Sequence, residues 1–219
     1  LALAATSMMQ ASPLDPWSVQ AVPRSTPEID LRPVAVLQPD ASEDWATTVN
    51  QGIDRAAEAL RSAGISLVKV PSPQMSDVVS TWGTLLFSEA RALQVDAVRR
   101  SAGHETNAVL SSYLEIFPQL TIEELLKAMA HRTTIARRWT LLFQSYRAVL
   151  APVLTTRPPQ PDSDLLGVNA VAELLASARY SIIGNLVGLP GISLPIPGIE
   201  PGPAAVQIVG PRFTEERIL

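Results

Sequence analysis

Arg32-Pro33-Val34-Ala35-Val36-Leu37, then Trp45, Val49, Ile53, Ala56, Leu60 and Ala63, then Ile65-Ser66-Leu67-Val68-Lys69-Val70: the fold turns on these residues. The first segment is a short apolar run that stops at Pro39, the pattern of a buried strand. The middle residues recur at the spacing of one helix face. Asp40 stands three residues ahead of Glu43, a capping-box spacing. Gly64 is placed to close the helix. The last segment is β-rich and alternates briefly. Strand, helix and strand within residues 32–70 make a βαβ-like unit, which predicts a parallel pair of strands.

Downstream, Val78, Trp82, Leu85, Leu86, Glu89, Leu93 and Ala97 mark a long helix that starts after Pro73. Gly103, His104 and Glu105 read as loop. Thr121 with Glu124 is a second capping box. It opens a helix whose stripe is Ile122, Leu125, Leu126, Met129, Thr133, Ala136, Trp139, Phe143 and Tyr146. Val149 to Leu154 reads as strand, and Pro152 at its centre demotes it or predicts a sheet edge or a bulge. Val171, Leu174, Leu175, Ala178, Ile182 and Leu186 form another helical stripe, stopped by Gly188 and Pro190. Strands at 192–196 and 204–209 follow, and Pro211 is placed to start a last helix. Upstream, residues 1–30 read as a short helix (1–9) and an irregular lead-in with four prolines. The expected fold class is α/β with a mixed sheet, the long middle helices covering one face.

The 219 residues carry 17 Lys+Arg against 21 Asp+Glu, a formal charge of −4. Charged residues are 17% of the chain, below the roughly 25% of an ordinary soluble domain. Mean hydropathy is +0.18. Low charge and the absence of an initiator Met lead to the expectation that the chain is a piece of something larger. A pI near 5.2 without a basic cluster argues against a nucleic-acid binder. Zero Cys rules out disulfides and Cys-ligated metal, and fits a reducing cytoplasm. The longest apolar stretch, 182–199, is interrupted by Pro190, Pro195 and Pro197 and by four glycines, so no membrane span is expected.

A search for chemistry finds little. Gly191-Ile192-Ser193-Leu194-Pro195 lacks the second Gly of a nucleophile elbow. His131 falls off the apolar stripe of its helix and reads as solvent-facing, as does His104 in its loop. Two isolated histidines give no metal-ligand spacing, so no metal and no cofactor is expected. Glu123 and Glu124 read as a solvated cap favoured by the helix dipole. Arg99-Arg100 and Arg137-Arg138 read as solvated helix faces. Trp45, Trp82 and Trp139 sit on apolar stripes, and their default role is packing.

Asn185-Leu186-Val187-Gly188-Leu189-Pro190-Gly191-Ile192-Ser193-Leu194-Pro195, followed by Ala205-Val206-Gln207-Ile208-Val209-Gly210-Pro211-Arg212-Phe213, closely resembles the C-terminal hallmark of the amidase signature family. Glu215-Glu216 match the paired acids of that family's last helix. Tyr146 to Pro152, the unit at 40–70, and Pro13-Leu14-Asp15-Pro16-Trp17 resemble further family segments in order. The residues have structural readings beside the resemblance. Asn185 is placed to bond the following turn, Gly188 to end a helix where a Cβ would clash, and Pro190 and Pro195 to bound a strand that needs no donors there.

The resemblance implies the C-terminal part of an α/β/α layered domain, with residues 1–219 a single incomplete domain. It implies amide hydrolysis through a serine, a bridging serine in a cis peptide and a lysine. Those residues precede the matched segment. Lys69 and Lys127 lie outside any Gly/Ser-rich context, so no catalytic residue is assigned in this chain. The expected partners are a missing N-terminal half, a small-molecule amide and a second copy of the chain. A rival reading is a non-catalytic subunit or degenerate relative that serves as a binding module. Glutamine-using members carry an Asp seven residues before the Asn matched to Asn185; here that position is Ala178. A substrate α-ammonium then lacks its counter-charge, which points to a small or apolar amide. Tyr180 and Trp82 are the candidate substrate-binding residues.

Overall fold

A computed structural model of the chain describes residues 12–15, 30–39, 45–200, 202 and 204–218. Its sheet comprises β1 (Val34–Gln38), β2 (Leu67–Pro71), β3 (Ala148–Pro152), β4 (Gly191–Ile196) and β5 (Ala204–Val209), in the order β2-β1-β3-β5-β4. β1 runs parallel to β2 and β3, and β5 is antiparallel to β3 and β4. The sheet is mixed and the βαβ reading of residues 32–70 holds. Side chains alternate across β1: Ala35 and Leu37 enter one core, Val34 and Val36 the other. A strand buried on both faces carries no polar alternation, so it reads as a plain apolar run.

One face is covered by α1 (Ala46–Ser62), which with Trp45 at its N-cap packs Val49, Ile53 and Ala57 against Val36, Leu150 and Val206. Ile218 of α8 (Glu215–Ile218) joins that layer. Gly64 closes α1 as expected. Its N–H bonds Arg61 O, and the Ile65 N–H bonds Leu60 O, the paired bonds of a Schellman turn. The other face carries α2 (Val78–Leu93), α3 (Val95–Ser101), α4 (His104–Ile116), α5 (Ile122–Ser145), α6 (Val168–Ser177) and α7 (Arg179–Val187). Their apolar faces meet Ala35, Leu37, Val149, Ala151 and Val209. The architecture is α/β/α. The helix at 1–9 and the Asp40/Glu43 cap lie outside the described residues.

Several local expectations change. β3 is the third of five strands and fully buried, not an edge or a bulge. Pro152 is its last residue, and the register with β1 has already stopped at Leu150, so no N–H is required of it on that side. The helix expected through Ala97 breaks at Gln94, which turns Val95 into the core. His104 opens a helix rather than lying in a loop. The signal for α4 was diluted because one of its inward positions is Ser112. The single helix expected over 171–186 breaks at Ala178. The carbonyl of Ser177 is taken by the N–H and hydroxyl of Thr155, which removes it from the helical ladder. Phe213 sits at φ +61, so the chain cannot run helically from Pro211, and α8 begins only after Thr214.

Asp30 anchors the start of β1. Its carboxylate accepts from Arg32 Nε at 2.9 Å and from Arg217 of α8 at 3.3 Å. Arg32 also donates to the carbonyls of Phe143 and Gln144 at the end of α5. The Arg32 hydrogen bonds hold the Asp30 carboxyl at about 2, below its ordinary 3.8. A carboxyl lowered by folding stabilises above its unfolded value, and that stability is lost as pH falls from 3.8 toward 2. Asp30→Asn is expected to cost about 2 kcal/mol at neutral pH in urea unfolding. The wild type is expected to lose more stability than the variant on acidification, so parallel pH curves would refute this role.

Candidate functional site

The carboxyl ends of parallel strands in an open α/β sheet form the crevice where ligands bind. β1, β2 and β3 end on one side at Gln38, Pro71 and Pro152. A connected set of polar groups closes that edge. Ser72, directly after β2, donates from Oγ to Gln38 O at 2.8 Å and lies 2.7 Å from the Tyr180 hydroxyl. With the serine proton committed to Gln38, Tyr180 is the donor to Ser72 Oγ. Gln207 in β5 uses both protons of Nε2, bonding Pro152 O at 2.9 Å and Tyr180 O at 2.7 Å. Ser181 Oγ donates to Val153 O at 2.8 Å. Arg179 donates to Thr155 Oγ1 at 2.9 Å, and its guanidinium lies 5.4 Å over the Tyr180 ring. Between them these groups bind main-chain carbonyls at the ends of β1 and β3 and in α7. They rigidify the edge, because each buried donor would cost about 1–3 kcal/mol if left unmade.

Tyr180, one of the two sequence candidates, is therefore central to this edge, with 2% of its surface exposed. Its ring belongs to the main core and its hydroxyl to the polar edge. Trp82, on α2, is half-buried against the same core, edge-on to Phe87 at 6.5 Å between centroids. The helices that carry them pack on each other, and neither residue lines the cavities beside Arg91, Met129 and Val109. Ser72 and Gln207 escaped sequence reasoning as site residues. A Gln inside the apolar run 204–209 was the available signal, since a buried amide must find partners.

The hydroxyls of Ser72, Tyr180 and Ser181 meet carbonyls or one another, not an imidazole or an amine, so they form no nucleophile–base pair. An acid–histidine pair does occur, after β2. His131 Nε2 and Arg138 Nη1 each lie 2.8 Å from Asp77 Oδ2. Burial opposes ionisation of Asp77, but the hydrogen bonds from Arg138 and His131 outweigh it and lower the carboxyl's pKa. His131 is thus half-buried and paired rather than simply solvent-facing, and Arg138 is an ion-pair partner. His104, Glu123, Glu124, Arg99, Arg100 and Arg137 are exposed as expected. Among the described residues no group of three or more His, Asp or Glu is arranged to hold a metal ion. No helix among them is long and apolar enough to cross a membrane.

The turn after α7 positions β4 against this edge. Gly188 adopts φ +68, which is why glycine stands there; a Cβ would meet nothing closer than 3.8 Å, so the reason is conformation and not the expected clash. Asn185 is exposed and does not hold the turn. The carbonyls of Leu186 and Val187 are capped instead by Arg132 and Arg212. Gly210 N–H donates to Pro190 O at 3.0 Å. By strand alternation, Gly191, Ser193 and Pro195 then turn their backbone away from β5, and Pro195 forfeits no ladder bond.

A family model described as Amidase matches residues 2–219. Indoleacetamide hydrolase of Bradyrhizobium diazoefficiens is 27% identical over 99% of this chain and 42% of its own length. A glutamyl-tRNA(Gln) amidotransferase subunit from a Synechococcus strain is 31% identical over 78% of this chain and 39% of its own. The chain thus spans less than half the length of these relatives. A bacterial aryl acylamidase of the amidase signature family superposes with a TM-score of 0.65, at 16% identity over 86% of this chain and 42% of that one. That likeness shows a shared α/β fold. With the family model running over nearly every residue and the same fold beneath it, the chain belongs to the amidase family.

Proposed function

We propose that this chain works as the C-terminal part of an amidase, hydrolysing a carboxylic amide to acid and ammonia or amine. The nucleophilic serine, the bridging serine of a cis peptide and the lysine come from an N-terminal part that packs against it. The observation that carries this reading is the family match over residues 2–219 on a chain spanning 42% of the relative's length. The site is in keeping with it: among the described residues, the hydroxyls of the carboxyl edge are committed to carbonyls and to one another and form no nucleophile–base pair. The role of the chain is to shape the pocket, with Trp82 in its wall and Tyr180, buried behind the edge, holding that wall in place. Its working setting is the cytoplasm, in keeping with a chain without Cys.

The substrate class is a small apolar amide, such as the indoleacetamide named for the relative. Ala178 offers no carboxylate, and its neighbour Arg179 places a cation at the same helix break. An α-ammonium such as glutamine carries would meet repulsion there. The test measures ammonia release from indole-3-acetamide and from glutamine. A longer polypeptide that contains this chain behind a Gly/Ser-rich, lysine-containing segment is expected to hydrolyse the first and not the second. The 219-residue chain alone is expected to release none. Release by the chain alone, sensitive to a serine-directed sulfonyl fluoride, would sink the proposal. An inert longer polypeptide would favour the binding-module reading instead.

A further inference from the structure

We propose a binding site for a small organic oxyanion, a carboxylate or phosphate ester on an apolar body. It lies in the cavity between α2, α3 and the start of α5. The cavity holds about 400 Å³, within the range of small-molecule pockets. Its wall is apolar where Val95, Leu114, Leu120 and Leu125 face it, and cationic at Arg91 and Arg99. Among the described residues no carboxylate lines it.

Arg91 is only partly used by the protein itself. Its Nη2 donates to the carbonyls of Leu114 and Phe117 and so caps the end of α4. That contact fixes the guanidinium plane at the cavity wall. Nη1 of the same group makes no hydrogen bond among the described residues and is not buried, so its protons are open to solvent. A charged planar donor held in place and left open is a ready partner for an oxyanion. Arg99, one turn along α3 from Val95, is exposed and adds a second planar donor fork. The two acids at the start of α5 are already engaged. Glu124 accepts from the N–H and hydroxyl of Thr121, and Glu123 pairs with Lys127 at 2.6 Å. The N-terminus of α5 is thus capped by its own side chain, and the guanidinium groups supply the attraction. The apolar wall excludes a bare ion as the best occupant, since its surface is buried only by a ligand with an organic body.

Titration of the 219-residue chain with phenylacetate, phenyl phosphate, phenylacetamide and inorganic phosphate tests this, read by calorimetry and by amide chemical shifts. Phenylacetate or phenyl phosphate is expected to bind, with shifts at Val95, Leu114 and Leu125. The tighter of the two identifies the headgroup. Neutral phenylacetamide and inorganic phosphate are expected to bind at least about tenfold more weakly. Arg99→Ala, at an exposed position, is expected to leave the circular dichroism unchanged and weaken binding by about tenfold. Equal binding of the amide, shifts elsewhere, or indifference to Arg99→Ala would overturn the proposal. None of these readouts depends on amide hydrolysis, so the site stands or falls apart from the proposed reaction.

Discussion

Gly83→Ala is expected to destabilise the protein by about 3 kcal/mol, the upper end for overpacking a core. A Cβ at position 83 would sit 2.0 Å from the far end of the Phe117 ring. That ring has no room to retreat. It is 5% exposed and stacks on Phe87 with centroids 5.3 Å apart and planes 5° from parallel. Phe87 in turn stacks on Tyr113 at 5.0 Å. One methyl group therefore pushes on three aromatic rings that join α2 to α4. Phe117→Leu alone is expected to cost about 1–2 kcal/mol from lost packing. In the double variant the smaller side chain admits the methyl, so the two effects should sum to less than their separate costs. Urea unfolding of the four proteins measures the cycle. Strict additivity would mean that the methyl and the ring do not meet.

Trp139→Ala is expected to cost about 4 kcal/mol, in the range for an aromatic truncated in a core. Trp139 is 1% exposed and packs against Phe143 on α5, with Ile135 one turn before it. At the other end of the same stripe, Leu126→Ala and Met129→Ala are expected to stay within about 0.5 kcal/mol. Those side chains are 59% and 53% exposed. Thermal or urea unfolding of the three variants separates the two ends of the helix. A Leu126→Ala loss as large as that of Trp139→Ala would show that the apolar start of α5 is covered in solution.

The contrast within α5 explains what was legible. Thr121 and Glu124 form the capping box read from their spacing, because that contact is local and closes within one turn. The stripe was also read correctly as a helix of one face. Which part of the face is buried depends on the elements opposite it, and periodicity carries no information about those. His131 shows the same limit. Its angle on the helix placed it off the stripe, but its partner Asp77 lies 54 residues away. At the candidate site, Tyr180 was picked out and its contacts with Ser72 and Gln207 were not. Both partners are distant in sequence and arrive through different strands.

By itself the sequence determined the α/β class, the parallel βαβ unit, the capped helix and the family resemblance. These rest on spacings within a few residues or on a contiguous motif, and short-range geometry enforces them. Tertiary structure alone decided that β3 lies mid-sheet, that the helix breaks at Ala178 and that Gln207 ties Pro152 to Tyr180. Strand order and the partners of buried polar groups depend on which distant segments pack together. Thr155 taking the Ser177 carbonyl is the clearest case: a loop after β3 ended a helix that its own residues would have continued.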